Sequence, residues 1–137
     1  MPSPDIEVVN GFSAALDADD FEAASRLMRA DCTFVSADKT LEGREAVLAA
    51  YDRNSRRARA LFSLVRYRSR FDRRLPDGGY RVLMTDELHA GEAVHEYTSL
   101  QTLYLSDEGL IYRILWEELP GQREATRSFC TSHGIAL

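Results

Sequence analysis

Residues Gly79 to Leu119 read GYRVLMTDELHAGEAVHEYTSLQTLYLSDEGLIYRILWEEL. Two short turns, Ala90-Gly91-Glu92 and Ser106-Asp107-Glu108-Gly109, divide this stretch into three extended runs rich in Val, Ile, Leu, Tyr, Thr and Trp. Such residues suit a pleated, half-buried surface, and short glycine-bearing turns close antiparallel hairpins. The stretch therefore predicts a three-stranded antiparallel meander onto which the upstream chain packs.

Immediately before it, Leu75-Pro76-Asp77-Gly78-Gly79 is a strong turn signal. Upstream of that turn, Leu61 to Arg73 reads as a long strand, with Leu64, Arg66, Arg68 and Arg70 alternating against Val65, Tyr67, Ser69 and Phe71. The N-terminal part is helical in period. Asp5 is a plausible N-cap for a helix carrying Val8, Val9, Phe12, Ala15 and Leu16 on one face. Asp17-Ala18-Asp19-Asp20 breaks that pattern and caps a second helix, whose buried side is Phe21, Ala24, Leu27 and Met28. Cys32 to Ser36 reads as a short strand, Ala37 to Glu42 as a loop, and Gly43 as the entry to a third helix with Ala46, Val47, Ala50 and Tyr51 on one face. That helix is expected to decay through Arg53-Asn54-Ser55-Arg56-Arg57. Gln122 to Ser132 offers a last amphipathic turn or two anchored by Phe129. Helices grouped ahead of an antiparallel meander predict an α+β architecture in the order α-α-β-α-β-β-β-β, with the helices on one face of the sheet.

A chain of 137 residues fits one domain, here residues 1–137, and is long enough for a real core. Its 45% hydrophobic and 28% charged content is ordinary for a globular protein. A net charge of −5 argues against non-specific nucleic-acid binding, although nine arginines crowd between Arg53 and Arg74. That cluster reads first as a solvated or salt-bridged face, and alternatively as a ring favouring an anionic ligand. Cys32 and Cys130 are too far apart for a disulfide framework or a zinc motif, and the three histidines share no helical spacing. MPSPDIE lacks the basic start and apolar run of a signal peptide, and no apolar run approaches membrane-spanning length. Together these features predict a cytoplasmic protein with reduced thiols, no metal, no membrane and no nucleic-acid partner.

Four segments carry a family resemblance. Phe12-Ser-Ala-Ala-Leu-Asp-Ala-Asp-Asp-Phe21, Leu27-Met28-Arg29-Ala30-Asp31-Cys32-Thr33-Phe34, Glu42-Gly43-Arg44-Glu45-Ala46-Val47 and Asp107-Glu108-Gly109-Leu110-Ile111 resemble successive markers of the SnoaL-like, ketosteroid-isomerase-like branch of the nuclear transport factor 2-like superfamily. The resemblance implies a cone-shaped, curved antiparallel sheet wrapped around three helices, a central pocket, and a homodimer through the convex sheet face. It further implies that His95, Tyr97, Ser99, Gln101 and Leu103 face the pocket. Val82, Met84, Asp86 and Leu88 should face inward on the neighbouring strand, with Tyr112, Ile114, Trp116 and Glu118 on the last. Thr98, Leu100, Ile111 and Leu115 are then the expected centre of the dimer contact.

The isomerase constellation itself is missing. Phe12 takes the place of the oxyanion tyrosine, Ser36 that of the carboxylate base, and Gln101 that of the protonated acid. What remains is a cofactor-independent alternative in which His95, oriented by Asp86, abstracts a proton next to a carbonyl while Tyr97 or Gln101 stabilises the enolate oxygen. Phe12, Phe34, Ser36, Tyr51, Met84, Ser99, Gln101, Tyr112, Ile114, Trp116 and Glu118 would surround a small hydrophobic molecule. The same aromatic and aliphatic residues equally suit an ordinary core. An enzyme of this isomerase or cyclase kind, a non-catalytic binding module and a dimeric interaction protein are therefore all open from the residues.

Overall fold

The structure is a computed structural model and describes residues 3–137; the Met1-Pro2 part of the N-terminal reading lies outside them. Helix α1 (Pro4–Asp17) is capped by the Ser3 side chain, which accepts from the Ile6 N–H at 3.2 Å. Asp5 is thus not the cap. Proline at the first helical position needs no N–H partner and moves the cap to the residue before it. The Asp5 carboxylate instead accepts from the Tyr80 hydroxyl at 2.8 Å, tying α1 to the sheet.

Asp19 takes a left-handed φ of 54° at the end of α1, and Asp20 caps α2 (Phe21–Arg26) by accepting from the Ala23 N–H at 3.1 Å. This helix is shorter than its apolar spacing predicts. Met28 already opens β1 (Met28–Val35), because the Leu27 carbonyl accepts from the Ile111 N–H at 2.9 Å and draws the chain into the sheet. Part of the expected loop forms β2 (Thr40–Glu42), antiparallel to β1.

Helix α3 (Arg44–Leu61) follows Gly43, whose φ of 94° is glycine's territory. It does not decay at Arg53. Asp52 and Arg56 pair along the helix at 2.9 Å, and Ser55 and Arg59 both bond Asp19, so tertiary contacts carry it to Leu61.

Strands β3 (Leu64–Arg74), β4 (Tyr80–Ala90), β5 (Ala93–Leu105) and β6 (Ile111–Glu118) continue the sheet, in the order β2-β1-β6-β5-β4-β3. All neighbours are antiparallel except β1 and β6. The sheet is curved and unclosed, and its concave face meets α1 and α3, as the α+β reading expects. The last segment is a full helix, α4 (Gln122–Ser132), rather than a turn or two. Phe129 on it stacks against Phe62 and His95.

One irregularity in β6 decides which side chains face inward. Tyr104 pairs with Arg113 but Leu105 pairs with Ile111, so Tyr112 is the extra residue of a β-bulge. The bulge reverses the phase beyond it. Ile114 and Ile111 are both buried to 0% exposure in the core, so Ile111 faces inward and cannot centre a contact on the convex face. Tyr112 lies under the Arg29 guanidinium instead of lining the pocket.

Four of the nine clustered arginines, Arg56, Arg59, Arg68 and Arg74, have local partners. Arg68 pairs with Glu87 and Glu96, Arg59 with Asp19, and Arg74 lies over the Tyr80 ring. Among the described residues, no helix is long and apolar enough to cross a membrane.

Candidate active site

Between the concave face of the sheet and the helices lies a cavity of about 460 Å³. Helices α1 and α3 contribute Leu16, Asp17, Val47, Tyr51 and Ser55, with Asp19 from the turn after α1. Phe34 on β1 and Trp116 on β6 form one wall; Tyr67 on β3, Met84 and Asp86 on β4, and Tyr97, Ser99 and Gln101 on β5 form the other. The inward set on β4 and β5 follows from the period of two, since Asp86 pairs with Tyr97, Met84 with Ser99, and Val82 with Gln101.

Within this mostly apolar volume polar groups form three hydrogen-bonded sets, and Asp86 with Tyr97 stands apart from them. Asp19 accepts from Ser55 Oγ at 2.8 and 2.9 Å and from Arg59 Nε at 2.9 Å, while the Tyr67 hydroxyl donates to Ser55 Oγ at 3.0 Å. Asp17 accepts from Ser69 Oγ at 2.6 Å, and the Tyr51 hydroxyl donates to Gln101 Oε1 at 2.7 Å. The Asp86 carboxyl makes no hydrogen bond to another described side chain. Burial, and then the Asp17 charge, push its pKa from the ordinary aspartate range up to about 7. Burial first, then Glu118 and Asp86, push the facing Tyr97 hydroxyl up to about 12, so it stays a proton donor at neutral pH. The site therefore places an acid that titrates near neutrality directly opposite a neutral phenol.

His95 departs from the expectation. It does point to the concave side, opposite Leu88, but α4 covers it. Its Nε2 lies 2.8 Å from Thr126 Oγ1 and its ring stacks on Phe129 at 5.2 Å. Burial alone lowers its pKa, with no carboxylate contribution, and no Asp86–His95 hydrogen bond forms among the described residues. The expected carboxylate–imidazole pair is thus absent: the His95 ring is held by Thr126 and Phe129 of α4, and the residue opposite Asp86 is Tyr97. His95 does not line the cavity.

Other expected residues divide in the same way. Phe34, Ser36, Tyr51, Met84, Ser99, Gln101 and Trp116 line the cavity, as do Asp86 and Tyr97. Phe12 is buried behind Tyr51, edge-on to its ring, and Ile114 lies in the core. Glu118 turns to Arg123 at 2.8 Å, and Arg123, not Glu118, lines the cavity.

Asp17, Asp19, Ser55 and Tyr67 line the cavity in addition to the residues to which the sequence points. Tyr67 and Ser69 carried a usable signal, since they alternate against Arg66, Arg68 and Arg70 and so occupy the face away from the arginines. The acidic turn signalled a helix break, and nothing local says that it ends at a cavity. Among the described residues no group of His, Cys, Asp and Glu is arranged to hold a metal ion.

No protein-family model matches the chain, and no curated relative does. Solved structures match along nearly its whole length. TerC co-crystallised with polyporic acid is 18% identical, with a TM-score of 0.65, over 94% of this chain and 97% of that one. A provisionally named polyketide cyclase of Xanthomonas campestris pv. campestris is 14% identical, with a TM-score of 0.64, over 90% and 95%. An LEH-like epoxide hydrolase of M. tuberculosis is 16% identical, with a TM-score of 0.61, over 94% and 96%. The chain has the NTF2-like cone fold. In this NTF2-like cone, Arg123 and Asp38, both exposed and 3.7 Å apart, line the same cavity as the Asp86–Tyr97 pair.

Proposed function

We propose that the cavity binds a small hydrophobic carbonyl compound and that Asp86 moves a proton on it, as in a cofactor-independent isomerase or cyclase. The single observation that carries this reading is the Asp86 carboxyl. It sits in a mostly apolar cavity without a side-chain hydrogen-bond partner among the described residues, at a pKa of about 7, opposite a tyrosine whose hydroxyl can donate. A carboxylate titrating near the working pH is suited to taking a proton in one step and returning it in the next.

In the proposed step the C–H bond next to the carbonyl breaks, its proton goes to a carboxylate oxygen of Asp86, and the electron pair becomes an enolate. The Tyr97 hydroxyl donates a hydrogen bond to the enolate oxygen. In a β,γ-unsaturated ketone, return of the proton from Asp86 to the γ-carbon of the dienolate completes an isomerisation. In a dicarbonyl compound, attack of the enolate carbon on the second carbonyl carbon opens its C=O π bond, and the resulting alkoxide takes the proton from Asp86 to complete a cyclisation. His95 has no part in this version. Neighbours of the same fold that are named as a cyclase and an epoxide hydrolase are compatible with chemistry in the cone.

The test is exchange of the α-protons of aromatic and alicyclic ketones with deuterated water, followed by NMR. Exchange above the buffer rate should rise with pH through about 7 and fall on the order of a hundredfold in Asp86→Asn. Ketones that bind without any Asp86-dependent exchange would leave a non-catalytic binding module as the function. A homodimer through the convex face, around Thr98, Leu100 and Leu115, belongs to the same proposal, and sedimentation of the purified chain decides it.

A further inference from the structure

The Tyr51–Gln101 hydrogen bond gives the cavity a second recognition point. Tyr51 is held edge-on to both Phe12 and Phe34, so its ring is fixed, and burial drives its pKa far upward, so its hydroxyl remains protonated. That proton goes to Gln101 Oε1 at 2.7 Å. A carboxamide whose oxygen is engaged presents its two N–H donors on the other side. Gln101 is 5% exposed and makes no other side-chain hydrogen bond among the described residues. No side-chain nitrogen or oxygen sealed from solvent lacks a partner among those residues, so the free Nε2 opens onto the cavity that Gln101 lines.

The position of this donor matters as much as its existence. Gln101 lies four residues from Tyr97 on the same face of β5, a separation of about 13 Å along an extended strand. It pairs with Val82 and Trp116, whereas the Asp86–Tyr97 pair lies toward the other end of the strand. Gln101 therefore does not share an oxygen atom with Tyr97.

The geometry points to Gln101 Nε2, positioned by Tyr51, as a binding site for a second hydrogen-bond acceptor, so that the cavity selects elongated apolar compounds bearing a carbonyl oxygen at each end. This rests on the cavity being the ligand site but not on Asp86 being a base.

The test compares biphenyl carrying one acetyl group with its para,para′-diacetyl analogue, binding being followed through fluorescence of Trp116, the single tryptophan, with correction for ligand absorbance. The diketone should bind about tenfold more tightly to the wild-type protein, as one additional hydrogen bond implies. Gln101→Leu should abolish that ratio, and Tyr51→Phe, which keeps the packed ring, should reduce it. Asp86→Asn should retain the ratio even though it removes exchange, which separates this proposal from the catalytic one. An equal affinity for the two ketones, no binding of either, or a ratio untouched in Gln101→Leu overturns it. A preference for the para,para′-dihydroxy analogue also overturns it, since that would mean the amide is turned the other way. Circular dichroism of both variants checks that the fold is intact.

Discussion

Asp86 and Tyr97 stand directly opposite each other on β4 and β5, and both side chains end in the same cavity. Burial acts on the two in the same direction but with different consequences. It brings the carboxyl up to about 7, where both protonation states are populated, and carries the phenol up to about 12, where only one is. A cross-strand pair thus separates a group that exchanges protons from a group that only donates a hydrogen bond.

Stability should respond to Asp86 with a definite sign. Its folded pKa lies above the unfolded value, so the folded state holds the extra proton between roughly pH 4 and 7. The contribution is present below the unfolded pKa and is lost as pH rises through the folded one. Asp86→Asn should therefore change stability little near pH 4 and increase it at about pH 8, by up to roughly 4 kcal/mol. Urea denaturation at the two pH values measures this; a variant less stable than wild type at the higher pH would contradict the burial of an unpaired carboxyl.

The Asp17 charge is the second contribution to the Asp86 pKa, after burial. Asp17→Asn removes it while leaving an amide oxygen to accept from Ser69. The midpoint of the rate–pH profile should then move to lower pH, remaining above that of an exposed aspartate because burial persists. A midpoint that moves upward would show that Asp17 does not act through its charge.

His95→Ala should act on α4 rather than on the cavity. Losing the Thr126 hydrogen bond and the Phe129 stack should cost about 1–2 kcal/mol of stability. Ketone affinity and Asp86-dependent exchange should stay within twofold or so of wild type. A loss of exchange with unchanged stability would return His95 to the chemistry.

The two cysteines are buried and free, at 0% and 1% exposure. Burial pushes the Cys32 thiol up to about 12 and raises that of Cys130, so almost no thiolate exists near neutrality. A colorimetric thiol reagent should find no fast-reacting group in the native protein and both thiols after unfolding in denaturant. Rapid labelling of either in the native state would show that its cover opens.

Much of the architecture was legible because the signals involved are local. The turns at Gly91 and Gly109 and the alternation of β4 and β5 depend only on φ preference and on the period of two. They fix which side chains share a face, and the family resemblance supplied which face is inward, so that together they place Asp86, Tyr97, Ser99 and Gln101 on the concave side. What the residues could not reveal was set by partners distant in sequence. Pairing of Leu27 with Ile111 ended α2 early, and the bulge at Tyr112, a mismatch between two strands rather than a property of either, turned Ile111 inward. Asp19 held α3 intact beyond Arg53 through Ser55 and Arg59, and brought an acidic turn to the cavity wall. His95 illustrates the division most clearly. Alternation determined the face on which its ring lies, but α4, arriving from beyond Gly121, determined that the ring meets Thr126 and Phe129 instead of Asp86. Side-chain direction is decided within a strand by backbone geometry, whereas depth, cover and charge environment are decided by whatever else the folded chain packs against it.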